Sequence, residues 1–371
     1  MKVGIISNTT SDIIRSRGEL IKSIIQSGHE VIAIGNEDVG RKKIEQLGAK
    51  FRNIKMDNIS TNIFKNIKYI KTLKNVLKEE NVDVILTYTI KPIALGAIAG
   101  TLAKVEKKYA LVVGMGYNYS TNTFRTKIIR FFCDLGYKIS GKVYNKMIFQ
   151  NKEDMEEFIE RKIVKTGNAV LIDGSGVDMK KFVKSENKID SMDELKFLMI
   201  SRCLNVKGIK ELSLAAEKVK NKYPKVQFVH LGNADKTYRG ITDKEMRKYS
   251  KVINFKGKVE NVYEYIRDSN VVILPSYLRE GIPRGLLEGL AVGRPIITTD
   301  IRGCRETVIE GKNGYLVKVK DENDLMEKII MMINNTKEEL QKMSEVSYNY
   351  AKERFDVEII NKNMLKYMEL V

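Results

Sequence analysis

Two glutamates, Glu280 and Glu288, frame the segment of this chain best equipped to do chemistry. They stand in Pro275-Ser-Tyr-Leu-Arg-Glu-Gly-Ile-Pro-Arg-Gly-Leu-Leu-Glu288, directly after the apolar run Val271–Leu274. A glycine turn after an apolar strand, then Pro283 where a helix opens near Arg284, frees backbone N–H groups to hold an anion or polar hydroxyls, assisted by the helix dipole. Acids are odd partners for a phosphate. A carboxylate accepts two hydroxyl donors well, so the pair suits a ribose diol or a sugar. Taken alone, Glu280 would read as a surface loop acid and Glu288 as a solvated helix residue.

The pair is not alone. Downstream come Gly293-Arg294-Pro295-Ile296 and Gly303-Cys304-Arg305-Glu306, and upstream lies Ser201-Arg202-Cys203-Leu204-Asn205-Val206-Lys207-Gly208. Two cations beside a glycine turn and a helix start suit a pyrophosphate. The ordered series resembles the retaining sugar-nucleotide glycosyltransferases of the GT-B fold, in their fourth family. The resemblance implies that Arg202 and Lys207 neutralise the donor diphosphate. It assigns Glu280, with Gly281, Ile282 and Pro283, to the donor sugar and phosphates, and Glu288 to the ribose. Phe255-Lys256-Gly257-Lys258-Val259 resembles the family segment that holds the base, which brings in Lys256 and Val259, while Thr307 and Val308 fall near the diphosphate and base. Glu280, Arg202 and Lys207 are the expected catalytic residues. The chain departs from the family pattern at Leu231-Gly232-Asn233-Ala234, where only the first of two usual glycines remains. His230 reads as a core strand residue.

The first half resembles the branch of that family acting on lipid-linked oligosaccharides. Ser7-Asn8-Thr9-Thr10 replaces a glycine pair with a polar loop, and Arg15-Ser16-Arg17 occupies the place of a Ser-His-Arg-like trio. Thr87-Tyr-Thr-Ile-Lys-Pro-Ile-Ala-Leu-Gly96 and Val113-Gly114-Met115-Gly116-Tyr117 match two further segments of the branch. The implied acceptor is a polyprenyl-diphosphate glycan, with Lys91 on its diphosphate and Gly114, Gly116 and Asn8 lining the acceptor site. The implied donor is a UDP-sugar, with N-acetylgalactosamine or another N-acetylhexosamine as the transferred group and retention at the anomeric carbon. No Asp-x-Asp motif is present, so no metal and no cofactor are expected, the nucleotide-sugar being a substrate. A sugar-nucleotide epimerase of the same fold is the alternative. A basic nucleic-acid-binding protein is a distant one, since the chain has no zinc finger, RNP-like aromatic signature or Arg-rich tail.

These residues need elements to hold them. Short apolar runs alternate with segments of helical period, which predicts parallel sheets covered on both faces. In the first half the expected strands are Val3–Ser7, Val31–Gly35, Phe51–Ile54, Val82–Thr87, Tyr109–Val113, Lys146–Gln150 and Ala169–Ile172. In the second they are Lys196–Ile200, Gln227–Leu231, Val252–Phe255, Val271–Leu274, Ile296–Thr299 and Gly314–Val317. Helices are expected at Ser11–Gln26 and near 207–222, 261–268, 284–292 and 322–334, with a helical tail from about 337 broken near Phe355–Asp356. The fold class is therefore α/β: two doubly wound, Rossmann-like domains at 1–175 and 176–350, and a C-terminal helix at 351–371 that can return to the first domain. The linker falls at Ile172–Asp178, and the charged stretch Lys180–Glu194 reads as surface. Ligands of such folds bind at the carboxyl ends of the strands, which predicts a cleft between the two sheets.

Composition narrows the setting. The 371 residues are 43% hydrophobic, enough for two cores, and carry 65 Lys and Arg against 47 Asp and Glu, a net charge of +18. Such a surface attracts nucleic acid, anionic membrane or phosphorylated substrates; a general lysine bias is the bland explanation. Three scattered cysteines and two histidines argue against a disulfide framework or a His-rich metal site. No apolar run is long enough to span a membrane, and the first residues show no cleavable signal pattern. Asn62–Glu79 and Thr123–Tyr144 pattern as basic amphipathic helices suited to an anionic leaflet. The expected setting is cytoplasmic, peripheral at the inner face of the plasma membrane.

Overall fold

The computed structural model describes residues 1–37, 39–56, 62–235 and 237–371. The chain divides into two compact units, Met1–Ser175 with Glu358–Val371, and Gly176–Val357.

The first unit is built on seven parallel strands: β1 (Lys2–Ile6), β2 (Glu30–Gly35), β3 (Lys50–Asn53), β4 (Val84–Tyr88), β5 (Lys107–Val112), β6 (Lys146–Phe149) and β7 (Ala169–Leu171). Their order is β3-β2-β1-β4-β5-β6-β7. The strand order reverses between β1 and β4, so the loops leaving these two neighbours diverge and open a crevice at their carboxyl ends. One face of the sheet is covered by helix Thr10–Gln26 and by the C-terminal helix Val357–Tyr367, which share a core through Ile13, Leu20, Ile24, Ile360 and Met364. Asn361 donates to the Ser23 hydroxyl at 3.0 Å, and Lys107 pairs with Glu369 at 2.9 Å.

The other face carries helices Ile63–Glu79, Ile90–Ala103 and Phe124–Ser140, with the middle one packed against both others. Asn62 caps the first by accepting from the Phe64 and Lys65 N–H groups at 2.9 and 3.2 Å. Thr123 and Thr126 close a capping box on the third. The apolar residues of these helices divide unexpectedly. Tyr69, Leu73 and Leu77 are buried, whereas Ile63, Phe64 and Ile67 face solvent. In Phe124–Ser140 only Thr126, Tyr137 and Ser140 are buried, and the phenylalanines point outward.

The second unit has six parallel strands: β8 (Lys196–Ile200), β9 (Gln227–Leu231), β10 (Asn254–Gly257), β11 (Val271–Leu274), β12 (Ile296–Thr299) and β13 (Gly314–Val317), in the order β10-β9-β8-β11-β12-β13. Here the order reverses between β8 and β11. Helices Ile209–Lys222, Arg284–Val292 and Glu322–Asn334 complete a continuous core with the strands.

Three local readings shift. The Val82 N–H closes helix Ile63–Glu79 through Leu77 O, so β4 starts only at Val84. The Val252 and Ile253 N–H groups bond to Tyr249 O and end a short helix, Asp243–Tyr249, which moves the strand to Asn254. The stretch 180–194 is not simply surface. Phe182 and Asn187 are buried, and fully buried Arg294 donates to the carbonyls of Ser185 and Glu186 at 2.9 and 3.1 Å. The same guanidinium reaches Ile266 O and Arg267 O at 3.1 and 2.9 Å, so one cation stitches the segment to the end of helix Val262–Arg267. Burial lowers its pKa to about 10, which keeps it charged at neutral pH.

Candidate active site

The loops after β8 and β11 leave adjacent strands at the switch point, and the structure ties them together. After β8 the chain makes a single 3-10 turn, Asn205–Lys207, then Gly208 at φ 78°, then helix Ile209–Lys222. A Cβ on Gly208 would lie 2.0 Å from Pro275 O, so only glycine lets the two loops approach this closely. The Tyr277 N–H donates to Val206 O at 2.9 Å, and its hydroxyl donates to Asn205 O at 2.7 Å.

This stitching puts Lys207 on Glu280. The ammonium donates to both carboxylate oxygens, at 2.5 and 2.7 Å, with the two side chains 9% and 19% exposed. Ser276 adds its hydroxyl to the same carboxylate at 3.1 Å. An ammonium has three N–H donors. Two are committed to Glu280, leaving a third for an anion arriving at the helix start.

The turn Gly303–Glu306 packs against this loop. A Cβ on Gly303, at φ 85°, would meet Gly281 O at 2.1 Å, so the backbones touch there. Buried Cys304 lies beneath Glu280. Burial first, and the Glu280 charge second, push its thiol up to about 12, which keeps it protonated and non-nucleophilic.

Glu288 sits one turn into helix Arg284–Val292 and receives Arg284 at 3.2 Å, with its carboxylate 12% exposed. Arg202 is different: its side chain is 65% exposed and lies 3.7 Å from Asp235. Burial pushes the Asp235 carboxyl up, but hydrogen bonds from Thr237 and the charges of Arg202 and Arg239 outweigh it and hold it below the ordinary value. Ile282 is buried in the core, and Gly281 and Pro283 are buried too, so this stretch can meet a ligand mainly through backbone groups. Thr307 is fully buried and donates its hydroxyl to Cys304 O at 2.7 Å, while Val308 packs against the core. Lys256 is exposed on the edge strand β10, and half-buried Val259 follows it.

His230 is fully buried on β9, with Nε2 3.2 Å from the Ser201 hydroxyl. Burial lowers its pKa to about 4. Gly232, at φ 144°, passes so close to Ser201 that a Cβ would lie 1.8 Å from its carbonyl. The one glycine kept from the usual pair is the one this crossing requires.

In the first unit, Asn8 follows β1 and Lys91 opens helix Ile90–Ala103 after the neighbouring β4. Between β4 and that helix, Thr89 adopts φ 68° and ψ 152°, a strained conformation for a β-branched residue, and its buried hydroxyl has no partner among the described residues. Gly114 and Gly116 follow β5 at φ 97° and 76°. Arg17 is buried and lies over the Tyr88 ring at 5.3 Å, joining helix Thr10–Gln26 to the Thr87–Gly96 segment.

Ser276, Asp235 and Arg284 were not singled out from the sequence. Arg284 and Glu288 are four apart on one helix, a spacing that signals an ion pair. Ser276 precedes Glu280 by four residues in an irregular loop, where that spacing is no signal, and Lys207 and Asp235, the partners of Glu280 and Arg202, come from other loops.

Comparison with known proteins places this arrangement. Residues 180–352 match the family of glycosyl transferases group 1, and residues 5–151 match the family described as glycosyl transferase 4-like. The chain is 30% identical over its full length to 99% of N,N'-diacetylbacillosaminyl-diphospho-undecaprenol alpha-1,3-N-acetylgalactosaminyltransferase of Campylobacter jejuni. It belongs to this glycosyltransferase family. A second relative, UDP-Gal:alpha-D-GlcNAc-diphosphoundecaprenol alpha-1,3-galactosyltransferase of Escherichia coli, is 26% identical over 75% of this chain and 73% of its own length. The Anabaena protein Alr3699/HepE, solved in complex with UDP, superposes with a TM-score of 0.78 at 16% identity, covering all of both chains. The two parallel α/β units are thus those of the GT-B fold. This glycosyltransferase has no described helix long and apolar enough to cross a membrane.

Proposed function

We propose that this glycosyltransferase moves an N-acetylhexosamine, N-acetylgalactosamine in the first instance, from a UDP-sugar to a polyprenyl-diphosphate-linked glycan, with retention at the anomeric carbon. The full-length similarity to the Campylobacter jejuni transferase carries this reading. The Lys207–Glu280 pair at the β8/β11 switch point supports it chemically.

The second unit takes the donor. Lys207 and Arg202, with the start of helix Ile209–Lys222, meet the diphosphate; Glu288 meets the ribose; Glu280 and the Gly281–Pro283 backbone meet the sugar; Lys256, Val259, Thr307 and Val308 belong to the base and diphosphate end. The first unit takes the acceptor, with Lys91 on the lipid diphosphate and Asn8, Gly114 and Gly116 around the sugar. The strained Thr89 beside Lys91 marks that loop as one kept for function rather than stability.

No side chain is needed as nucleophile. The C1–O bond to the β-phosphate breaks through an oxocarbenium-like state. The acceptor hydroxyl attacks from the same face, and its proton passes to the departing phosphate oxygen. The protein positions the two substrates and stabilises charge on the leaving diphosphate. Lys207 and Arg202 supply that stabilisation without a metal, and no cofactor takes part. The protein works at the cytoplasmic surface of the membrane that holds its lipid acceptor.

The test is incubation with a panel of UDP-sugars and short polyprenyl-diphosphate glycans, read by mass spectrometry. We expect UDP release only with a lipid-linked acceptor, a product heavier by one N-acetylhexosamine, and at least tenfold weaker UDP binding by Glu288→Ala. UDP-sugar turnover without any acceptor would instead indicate epimerase chemistry and overturn the proposal.

A further inference from the structure

We propose that the helical face of the first unit formed by Ile63–Glu79, Ile90–Ala103 and Phe124–Ser140 docks into the interface of an anionic bilayer. Phe64 and Phe124 act as wedges on either side of Lys91. The role given to Lys91 rests on the function proposed above; the docking surface stands on the exposure pattern itself.

Phe124 and Phe64, at 81% and 79%, are the two most exposed large hydrophobic side chains among the described residues. Phe131 and Ile63 follow on the same helices at 65% and 64%. The pattern in Phe124–Ser140 is inverted for a packed helix. Phe124, Ile128, Phe131, Leu135 and Ile139 recur every three or four residues on the outer side, while Thr126 and Ser140 face the core. An apolar stripe of this extent on a soluble surface marks an interaction site.

The direction of the chain says where the stripe lies. In a parallel α/β sheet each helix runs back against the strands, so its first turn sits at the carboxyl edge of the sheet. Phe64, Lys91 and Phe124 each stand within the first two residues of their helices. Since helix Ile90–Ala103 packs between the other two, Lys91 is flanked by the two phenylalanines at the edge where Gly114 and Gly116 also lie.

Charge selects the occupant. None of the three helices has an acid in its first turn, and no Asp or Glu occurs in the segments 62–78, 84–105 or 107–133. Lys65, Lys68, Arg125 and Lys127 are exposed among the apolar side chains. Asp134, the one acid within Phe124–Ser140, is turned to Arg161 at 2.6 Å. Two copies of so cationic a face would repel in a symmetric dimer, and nucleic acid, whose bases stack on aromatic rings, would leave Ile128, Leu135 and Ile139 in water. An anionic leaflet satisfies both, accepting the apolar stripe below the headgroups and the cations at them.

The test uses the full chain, without donor or acceptor, in sedimentation with vesicles of phosphatidylcholine alone or with phosphatidylglycerol. Wild type is expected to sediment with the anionic vesicles and to be released by salt. The Phe64→Ser/Phe124→Ser/Phe131→Ser variant should bind weaker by about tenfold for each phenylalanine removed. Because these side chains are exposed, it should melt like wild type and keep its transfer rate with a water-soluble, short-chain polyprenyl-diphosphate glycan, while losing transfer to acceptor held in vesicles. Wild type remaining in the supernatant, equal sedimentation of the triple variant, or a dimer dissolved by the same substitutions without vesicle binding would each overturn the docking surface. Loss of transfer to the soluble acceptor by wild type would count against the proposed function and leave the docking result standing.

Discussion

Replacing Lys207 tests the centre of the reasoning. Its ammonium lies 2.5–2.7 Å from both Glu280 oxygens in a nearly closed site. At an effective dielectric of about 20, unit charges about 3 Å apart attract by roughly 5 kcal/mol, and the cost of desolvating both leaves a smaller net coupling of about 1–3 kcal/mol. The same cation stabilises the departing diphosphate in the proposed reaction. Losing one preorganised donor at a developing anion costs about 3–4 kcal/mol, or roughly 10²–10³ in rate. Lys207→Ala should therefore lower kcat/KM by that factor while leaving the KM for the lipid acceptor within about twofold. It should also take the doubly bonded ammonium from the Glu280 carboxylate, which keeps the Ser276 hydroxyl at 3.1 Å, destabilising the second unit by about 2 kcal/mol. A cycle with Glu280→Gln separates the two effects. If the pair matters only to the fold, the cycle shows coupling in thermal melts and none in kcat. Steady-state kinetics on UDP release gives the decisive number: turnover by Lys207→Ala within twofold of wild type would remove the diphosphate assignment.

Two further outcomes follow from burial. His230 is held neutral, with its pKa lowered to about 4 from an ordinary 6.5. Unfolding frees it, so between pH 6.5 and 4 the unfolded chain binds the extra proton; its contribution is complete above 6.5 and is lost as pH falls, up to roughly 3 kcal/mol. Urea melts across that range should show a smaller loss for His230→Gln, and an identical pH slope in both proteins would contradict the burial argument. Arg294→Met should strip donors from four backbone carbonyls in two adjacent pairs, Ser185 with Glu186 and Ile266 with Arg267. We expect a loss of about 3–4 kcal/mol and a drop in Tm of roughly 10 °C, with a melt unchanged from wild type showing that the stretch 180–194 is not held by this side chain.

The strand positions were legible because a parallel sheet buried on both faces needs unbroken runs of Val, Ile and Leu, such as Val271–Leu274 and Val84–Leu86. Boundaries slipped where a helix end borrowed the first residues of a run, as Tyr249 O does with Val252 and Ile253. Short helix Asp243–Tyr249 escaped notice because seven residues give too little periodicity. The glutamates and the Lys207 loop stood out through glycines and spacing, and Gly208 and Gly303, both at φ > 0, each have a backbone neighbour that excludes a side chain. The place of Arg294 did not stand out, because an arginine in a turn reads as surface until its carbonyl partners, more than a hundred residues away in the case of Ser185, are known.

By itself the sequence determined the α/β class, the number of strands, the family motifs and the excess of cations, because these follow from local pattern and composition. Tertiary structure alone decided that Lys207 closes on Glu280 while Arg202 stays out in solvent. It also decided that the phenylalanines of helix Phe124–Ser140 face water rather than the core. Periodicity shows that a helix has an apolar side but not which way that side turns, since orientation is settled by which residues the neighbouring elements can accept.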